Sequence, residues 1–239
     1  MPAWATAGAM AMVVWLLREI ARRRDTRPLP RLVPAPRAEG TGAGTRPYDI
    51  SSAVASLAVS AGVGVVGPGA NAYMRALLVE LLTTGTRVVI GRNELNRLFE
   101  GDFDRALQWA FAPQLHVSEL LEDSIEHLEL QQLMGEAAQA NPDVVPACDR
   151  EQPVTYWIAT PGPDDDVVLP LLRRVPRLLG VIFGEWHHGP TCVIDATGAL
   201  IGVHGHGNGP AIGAVAATLT RTQALGRLRA YASTAKAGR

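Results

Sequence analysis

Lysine is almost missing from this chain. Of its 22 basic residues, 21 are arginines and only Lys236 is a lysine. Any chemistry that needs an ammonium group early in the chain has no residue to supply it. Cysteine is nearly absent too: Cys148 and Cys192 lie far apart and outside any CxxC pattern. In a cytoplasmic domain such a pair reads as free thiols. Aromatic residues make up 5% of the chain, so valine, leucine, isoleucine and alanine must build the core. Charged residues are only 19% and hydrophobic residues 47%, which excludes a wholly disordered chain.

What is present is unevenly spread. The net charge of −1 conceals a basic start and an acidic body. Residues 1–46 hold eight arginines against Glu19, Asp25 and Glu39, a balance of +5, and the rest of the chain carries −6. A basic stretch beside an apolar segment points to a membrane surface. The acidic body argues against direct nucleic-acid binding.

The apolar segment is Ala3–Leu17, fifteen residues without a charge. As a helix it spans about 22 Å, less than the roughly 30 Å of a hydrocarbon core. Ile20 and Ala21 extend it by a turn, and Trp4 and Trp15 suit the interface. Arg18, Arg22, Arg23 and Arg24 follow, with no charge before the run. That order predicts one transmembrane helix with the N-terminus outside and the body cytoplasmic. A secretory signal has the opposite order. Residues 1–24 are therefore expected to be a membrane anchor with a basic flank, and the lipid bilayer the first partner. Residues 25–47 carry Pro28, Pro30, Pro34, Pro36 and Pro47 with Gly40, Gly42 and Gly44, the composition of an extended linker.

From Tyr48 to about Leu228 strand and helix signals alternate. Ser51–Ala61 is apolar and ambiguous. Strands are predicted at 63–67, 87–91, 114–117, 154–160 and 179–185, and helices at 71–82, 92–99, 118–140 and 166–174. Ser118 is the expected N-cap of the longest helix. Glu119, Glu122, Glu126 and Glu129 form an acidic stripe on it, read as a solvated face. Thr191–Ile201 reads as a hairpin turning at Ala196-Thr197-Gly198. The pattern implies an α/β fold: a mainly parallel sheet in three layers, with an antiparallel addition near the end. Residues 229–239 are expected to be a flexible tail.

One loop has the setting of a phosphate cradle. Gly64-Val65-Val66-Gly67-Pro68-Gly69-Ala70-Asn71 follows an apolar run and opens a helix. Its spacing matches G-x-x-x-x-G-K-[ST], but Ala70 stands where the lysine belongs and Asn71 where the hydroxyl belongs. The lysine would neutralise the β- and γ-phosphates, and the hydroxyl would hold Mg²⁺. Arg75, one turn on, is the nearest cation. The strand 154–160 ends Ile-Ala-Thr-Pro rather than in acids, and Asp164, Asp165 and Asp166 come after two prolines. Hydrolysis therefore has no machinery. Gly64, Gly67, Gly69, Ala70 and Asn71 remain as a candidate anion loop through backbone N–H groups, with ATP or GTP as the ligand. The alternative is a tight strand-to-helix turn, with Gly67 and Gly69 serving backbone conformations closed to side chains.

A second cluster is His187, His188, His204 and His206, near Glu185, Cys192 and Asp195. His204 and His206 would share a strand face, which suits metal ligation. The surrounding glycines favour a loop instead, and Cys192 reads as a buried strand residue rather than a nucleophile.

The succession GVGVVGPGA, an Ala/Leu-rich helix, RVVI, a long acidic helix, an apolar strand and LLGVIFGEWHHGPTCVIDATGAL resembles the middle region of large actinobacterial membrane proteins. In those, transmembrane helices and a degenerate ATPase-like domain are joined to LysM and bacterial transcriptional activator domains. The anchor with LLREIARRR is similar to their second transmembrane helix. The resemblance spans most of residues 3–225. It implies a degenerate P-loop NTPase core without catalysis, and regulation or scaffolding at the membrane with protein partners there. The chain ends at Arg239 without an activator domain, so a direct transcriptional role is not expected. Two other readings remain: a nucleotide-responsive ATPase-like subunit whose partner supplies catalytic groups, and a His-rich metal-binding protein.

Overall fold

The computed structural model describes residues 62–141, 153–205, 213 and 215–237. These belong to one compact unit, Arg46–Arg239. The expected transmembrane helix, the linker, the stretch 51–61, Cys148 and His206 lie outside the described residues. Among the described residues no helix is long and apolar enough to cross a membrane.

The fold is α/β, built on one seven-stranded sheet. Its strands are β1 (Val63–Val66), β2 (Arg87–Gly91), β3 (Leu115–Ser118), β4 (Thr155–Ala159), β5 (Leu178–Phe183), β6 (Thr191–Ile194) and β7 (Leu200–His204). They are ordered β3-β2-β4-β5-β1-β6-β7. Every pairing is parallel except β6 with β7, the expected hairpin. Parallel strands are covered on both faces, which is why they read as continuous Val/Ile/Leu runs.

Helices α1 (Ala70–Thr83), α2 (Arg92–Phe99), α3 (Arg105–Ala110), α4 (Leu121–Ala140), α5 (Asp165–Arg174) and α6 (Arg221–Ala237) complete the body. Two apolar cores separate along the two-residue period of the strands. On one face Val63, Val65, Val88, Ile90, Ile158, Val181 and Phe183 pack with α1, α2, α3 and α6. On the other, Val89, Trp157, Ala159 and Ile182 pack with Leu128 of α4 and Val168, Leu171 and Leu172 of α5.

Two expectations need correction. Ser118 does not cap α4: it is the last residue of β3, buried, with its hydroxyl 2.6 Å from that of Ser124. The helix starts three residues later, where Asp123 accepts from the Leu120 N–H at 3.0 Å. The chain beyond Leu228 is not a flexible tail: α6 continues through Ala237. Its buried Ala224, Leu225 and Leu228 join the larger core, and Tyr231 stacks on Phe111 at 5.9 Å. The acidic stripe is a solvated face as expected: Glu119, Glu122 and Glu126 are exposed, and surface ion pairs join Glu119 to Arg92 at 2.9 Å and Glu129 to Arg174. Helix α3 is six residues long, too short for a helical period to be read in advance. Asp104 starts it, accepting from the Leu107 N–H at 2.8 Å.

Candidate functional site

Strands β1, β2, β4, β5 and β6 run the same way, so their C-terminal ends share one edge. In open parallel sheets that edge is where ligands bind. The glycine loop lies there, between β1 and α1.

Each glycine of the loop is met by the protein's own backbone. Strands β5 and β6 flank β1, and residues 184–190 connect them by passing over it. A side chain on Gly64 would meet the Gly184 carbonyl at 2.7 Å and the Trp186 amide at 2.9 Å. Gly67 has φ +99° and lies against the Ile194 carbonyl. Gly69 has φ −86°, an ordinary value, so its conformation does not require glycine. Space does: a Cβ there would land on the Asp195 carbonyl oxygen.

Three of the segment's N–H donors are engaged within the protein. The Gly69 N–H donates to Ile194 O at 3.0 Å, the Ala70 N–H to Gly67 O at 3.1 Å, and the Gly64 N–H to Pro190 O at 2.8 Å. The end of β6 thus places the Ile194 and Asp195 carbonyl oxygens, with partial negative charge, against Gly67 and Gly69. Ala70 is 3% exposed and part of the larger core, so a longer side chain has no room there.

Asn71 is half-buried, and its Oδ1 accepts from Arg97 Nε at 3.1 Å. The Arg97 guanidinium lies 4.6 Å from the centroid of the Phe183 ring, at the end of β5. A fixed positive charge therefore stands beside the loop. It comes from α2, twenty-six residues on, and no local signal in the sequence marks it. Arg75, the nearest cation along the chain, is tied instead to the Leu98 carbonyl at 2.7 Å.

The histidines separate. His187 and His188 are exposed on the β5–β6 connection, and His188 Nε2 lies 3.4 Å from Asp165 Oδ2 at the start of α5. His204 is exposed at the end of β7, where it pairs in register with Thr191. Asp195 is committed to the hairpin turn. Its Oδ1 accepts from Thr197 Oγ1 at 2.7 Å, which with the backbone donors holds the carboxyl below its ordinary range. Cys192 is fully buried, and burial pushes its thiol up to about 11. It is no thiolate at neutral pH. Among the described residues no group of three His, Cys, Asp or Glu side chains is placed to hold a metal ion.

A different pair of histidines does meet. His116 of β3 and His127 of α4 stack face to face, centroids 3.5 Å apart and planes 3° from parallel. Nothing in the sequence marks them, since eleven residues and a change of element separate them.

Comparison with protein-family models, curated proteins and solved structures finds no match for this chain.

Proposed function

We propose that this chain is a non-enzymatic, membrane-anchored regulatory or scaffold protein, whose cytoplasmic domain resembles a degenerate P-loop NTPase core and has lost nucleotide chemistry. One observation carries the reading: the Ile194 and Asp195 carbonyls pack directly on Gly67 and Gly69, and Ile194 O takes the Gly69 N–H that a phosphate would need. A phosphate there would face oxygen atoms rather than free N–H donors. The burial of Ala70 in the larger core supports it further, because a lysine there would have to place its charge among apolar side chains or displace them. The acid-free end of β4 removes the Mg²⁺ partner. Membrane attachment rests on the apolar run 3–17 and the arginines after it. The resemblance to actinobacterial membrane proteins supports regulation at the membrane, through protein partners.

ATP turnover by the purified full chain with Mg²⁺ should stay at background. Turnover above background that Asn71→Ala abolishes would overturn the proposal.

Arg97 favours a second reading, a nucleotide-responsive subunit. Its guanidinium beside Asn71 could meet an anion at the outer rim of the loop. Nucleotide affinity in the absence of turnover, lost in Arg97→Gln, would select that reading.

A further inference from the structure

The body carries its charge unevenly along the chain. Residues 47–195 hold nine basic and twenty acidic residues. After Asp195 there is no Asp or Glu at all, against Arg221, Arg227, Arg229, Lys236 and Arg239. Most of that cationic stretch is helix α6, seventeen residues without an acid. It packs against α1 and α3, on the face of the sheet away from α4 and α5. Arg221 at its start pairs with Glu100 and Asp102. Arg227 and Arg229 are exposed, and neither makes an ion pair or a hydrogen bond.

Beside α6 stands the most exposed large apolar side chain among the described residues, Trp109 of α3, 77% exposed. Arg105, one turn before it on the same helix, is exposed and unpaired as well. The Phe111–Tyr231 stack ties the end of α3 to α6. Two acids lie close to these arginines. Asp104 caps α3, and Glu80 of α1 lines a cavity with Arg227 without pairing to it. Arg227 and Arg229 flank the buried Leu228, about 200° apart around the helix, so they stand on its opposite sides. A ligand seated in a groove meets one side of a helix, whereas a broad surface meets both. An exposed tryptophan among unpaired arginines suits the headgroup region of an anionic bilayer, with the ring at the acyl boundary and the guanidinium groups at the phosphates.

We propose that α6 and the Arg105–Trp109 side of α3 form a docking surface for an anionic lipid bilayer. The proposal deepens the membrane-anchored reading and rests on it: the anchor holds the body beside the leaflet, where even a shallow patch meets lipid at high effective concentration. Arg105, Arg227 and Arg229 donate to headgroup phosphates, and Trp109 enters the interface. Each guanidinium near an anionic surface strengthens docking about fivefold, and salt weakens it. Glu119, Glu122 and Glu126 are exposed at the β3–α4 junction and on α4, which packs on the other face of the sheet. The same leaflet repels them, so the body docks by its α3–α6 side.

The full chain should be placed in nanodiscs of phosphatidylcholine alone, or of phosphatidylcholine with about 30% phosphatidylglycerol, which supplies the anionic surface. Both carry brominated acyl chains. Bromine quenches indole emission on contact, and the difference from Trp109→Phe isolates Trp109 from the other four tryptophans. Trp109 should be quenched in the anionic discs and not in the neutral ones. Its emission should return at about 1 M NaCl, where the Debye length falls to about 3 Å. Arg227→Glu combined with Arg229→Glu should melt like the native chain and lose the quenching; the lipid and salt comparisons decide without it if it fails to fold. Co-migration with neutral discs at high salt reports the apolar anchor alone. If the anchor reading fails, the chain leaves the neutral discs, and docking still shows as salt-sensitive co-migration with the anionic ones. No quenching of Trp109 in anionic discs, equal quenching in both compositions, or quenching that survives the double charge reversal would overturn the proposal.

Discussion

At the scale of single residues, Gly69 serves closeness rather than conformation. Gly69 has an ordinary φ, yet a methyl group on it would meet the Asp195 carbonyl. Gly69→Val should therefore destabilise the body by about 2–3 kcal/mol, in the range of overpacked cores. Equal loss with and without ATP is expected, since a ligand stabilises only what it binds. Melts of both proteins under both conditions check this, and a tolerated valine would refute the packing account. Cys192 supplies a second prediction. Fully buried and held protonated, it should not react with a thiol reagent at pH 8 in a Cys148→Ser background until denaturant unfolds the chain. Prompt labelling of the native protein would contradict that burial.

At the scale of elements, the junction of β3 with α4 joins two polar pairs. The Ser118 and Ser124 hydroxyls are both buried and satisfy each other at 2.6 Å. Ser124→Ala strands the Ser118 hydroxyl and should cost about 1–2 kcal/mol. Changing both to alanine should cost less than the sum of the single changes, as a double-mutant cycle would show. The stacked histidines give the same junction a pH dependence. His127 titrates at about 4 in the folded protein, against 6.5 for an unperturbed imidazole. Between those values the unfolded chain binds more protons than the folded one. Stability is therefore full above about pH 6.5 and falls as the pH drops towards 4. Urea unfolding at pH 7 and pH 5 in chloride buffer should show the loss, and His127→Gln should reduce it. An unchanged midpoint between the two pH values would show that the pair does not titrate this way.

At the scale of the whole molecule, the two edges of the sheet differ in what they expose. The C-terminal edge has its glycine loop packed against the end of β6 and Arg97 bonded to Asn71. The opposite edge has a cavity of about 280 Å³ where the stacked His116 and His127 meet Arg87, Gln131 and Thr155. The proposed orientation at a membrane follows from the arginines after the apolar run. A reporter fused at Arg239 should be active only in its cytoplasmic form. Activity of the extracytoplasmic form would reverse the orientation.

The amino-acid sequence by itself determined the alternation of elements. Apolar runs of four to six residues mark β1, β2, β4 and β5, because strands buried on both faces must be apolar throughout. It also determined the missing lysine and the acid-free end of β4, which are matters of residue identity. It misplaced Ser118 because hydroxyl capping is a local rule, and burial against Ser124 is not local. It missed α6 altogether because that segment is weakly apolar, and its helix is held by packing against the larger core. Only the tertiary structure decided why Gly64 and Gly69 are glycines, since the atoms they make room for come more than a hundred residues later. The same holds for Arg97 at the loop and for the His116–His127 stack. Periodicity and propensity act over a few residues, whereas the order of strands in the sheet decides which distant side chains meet.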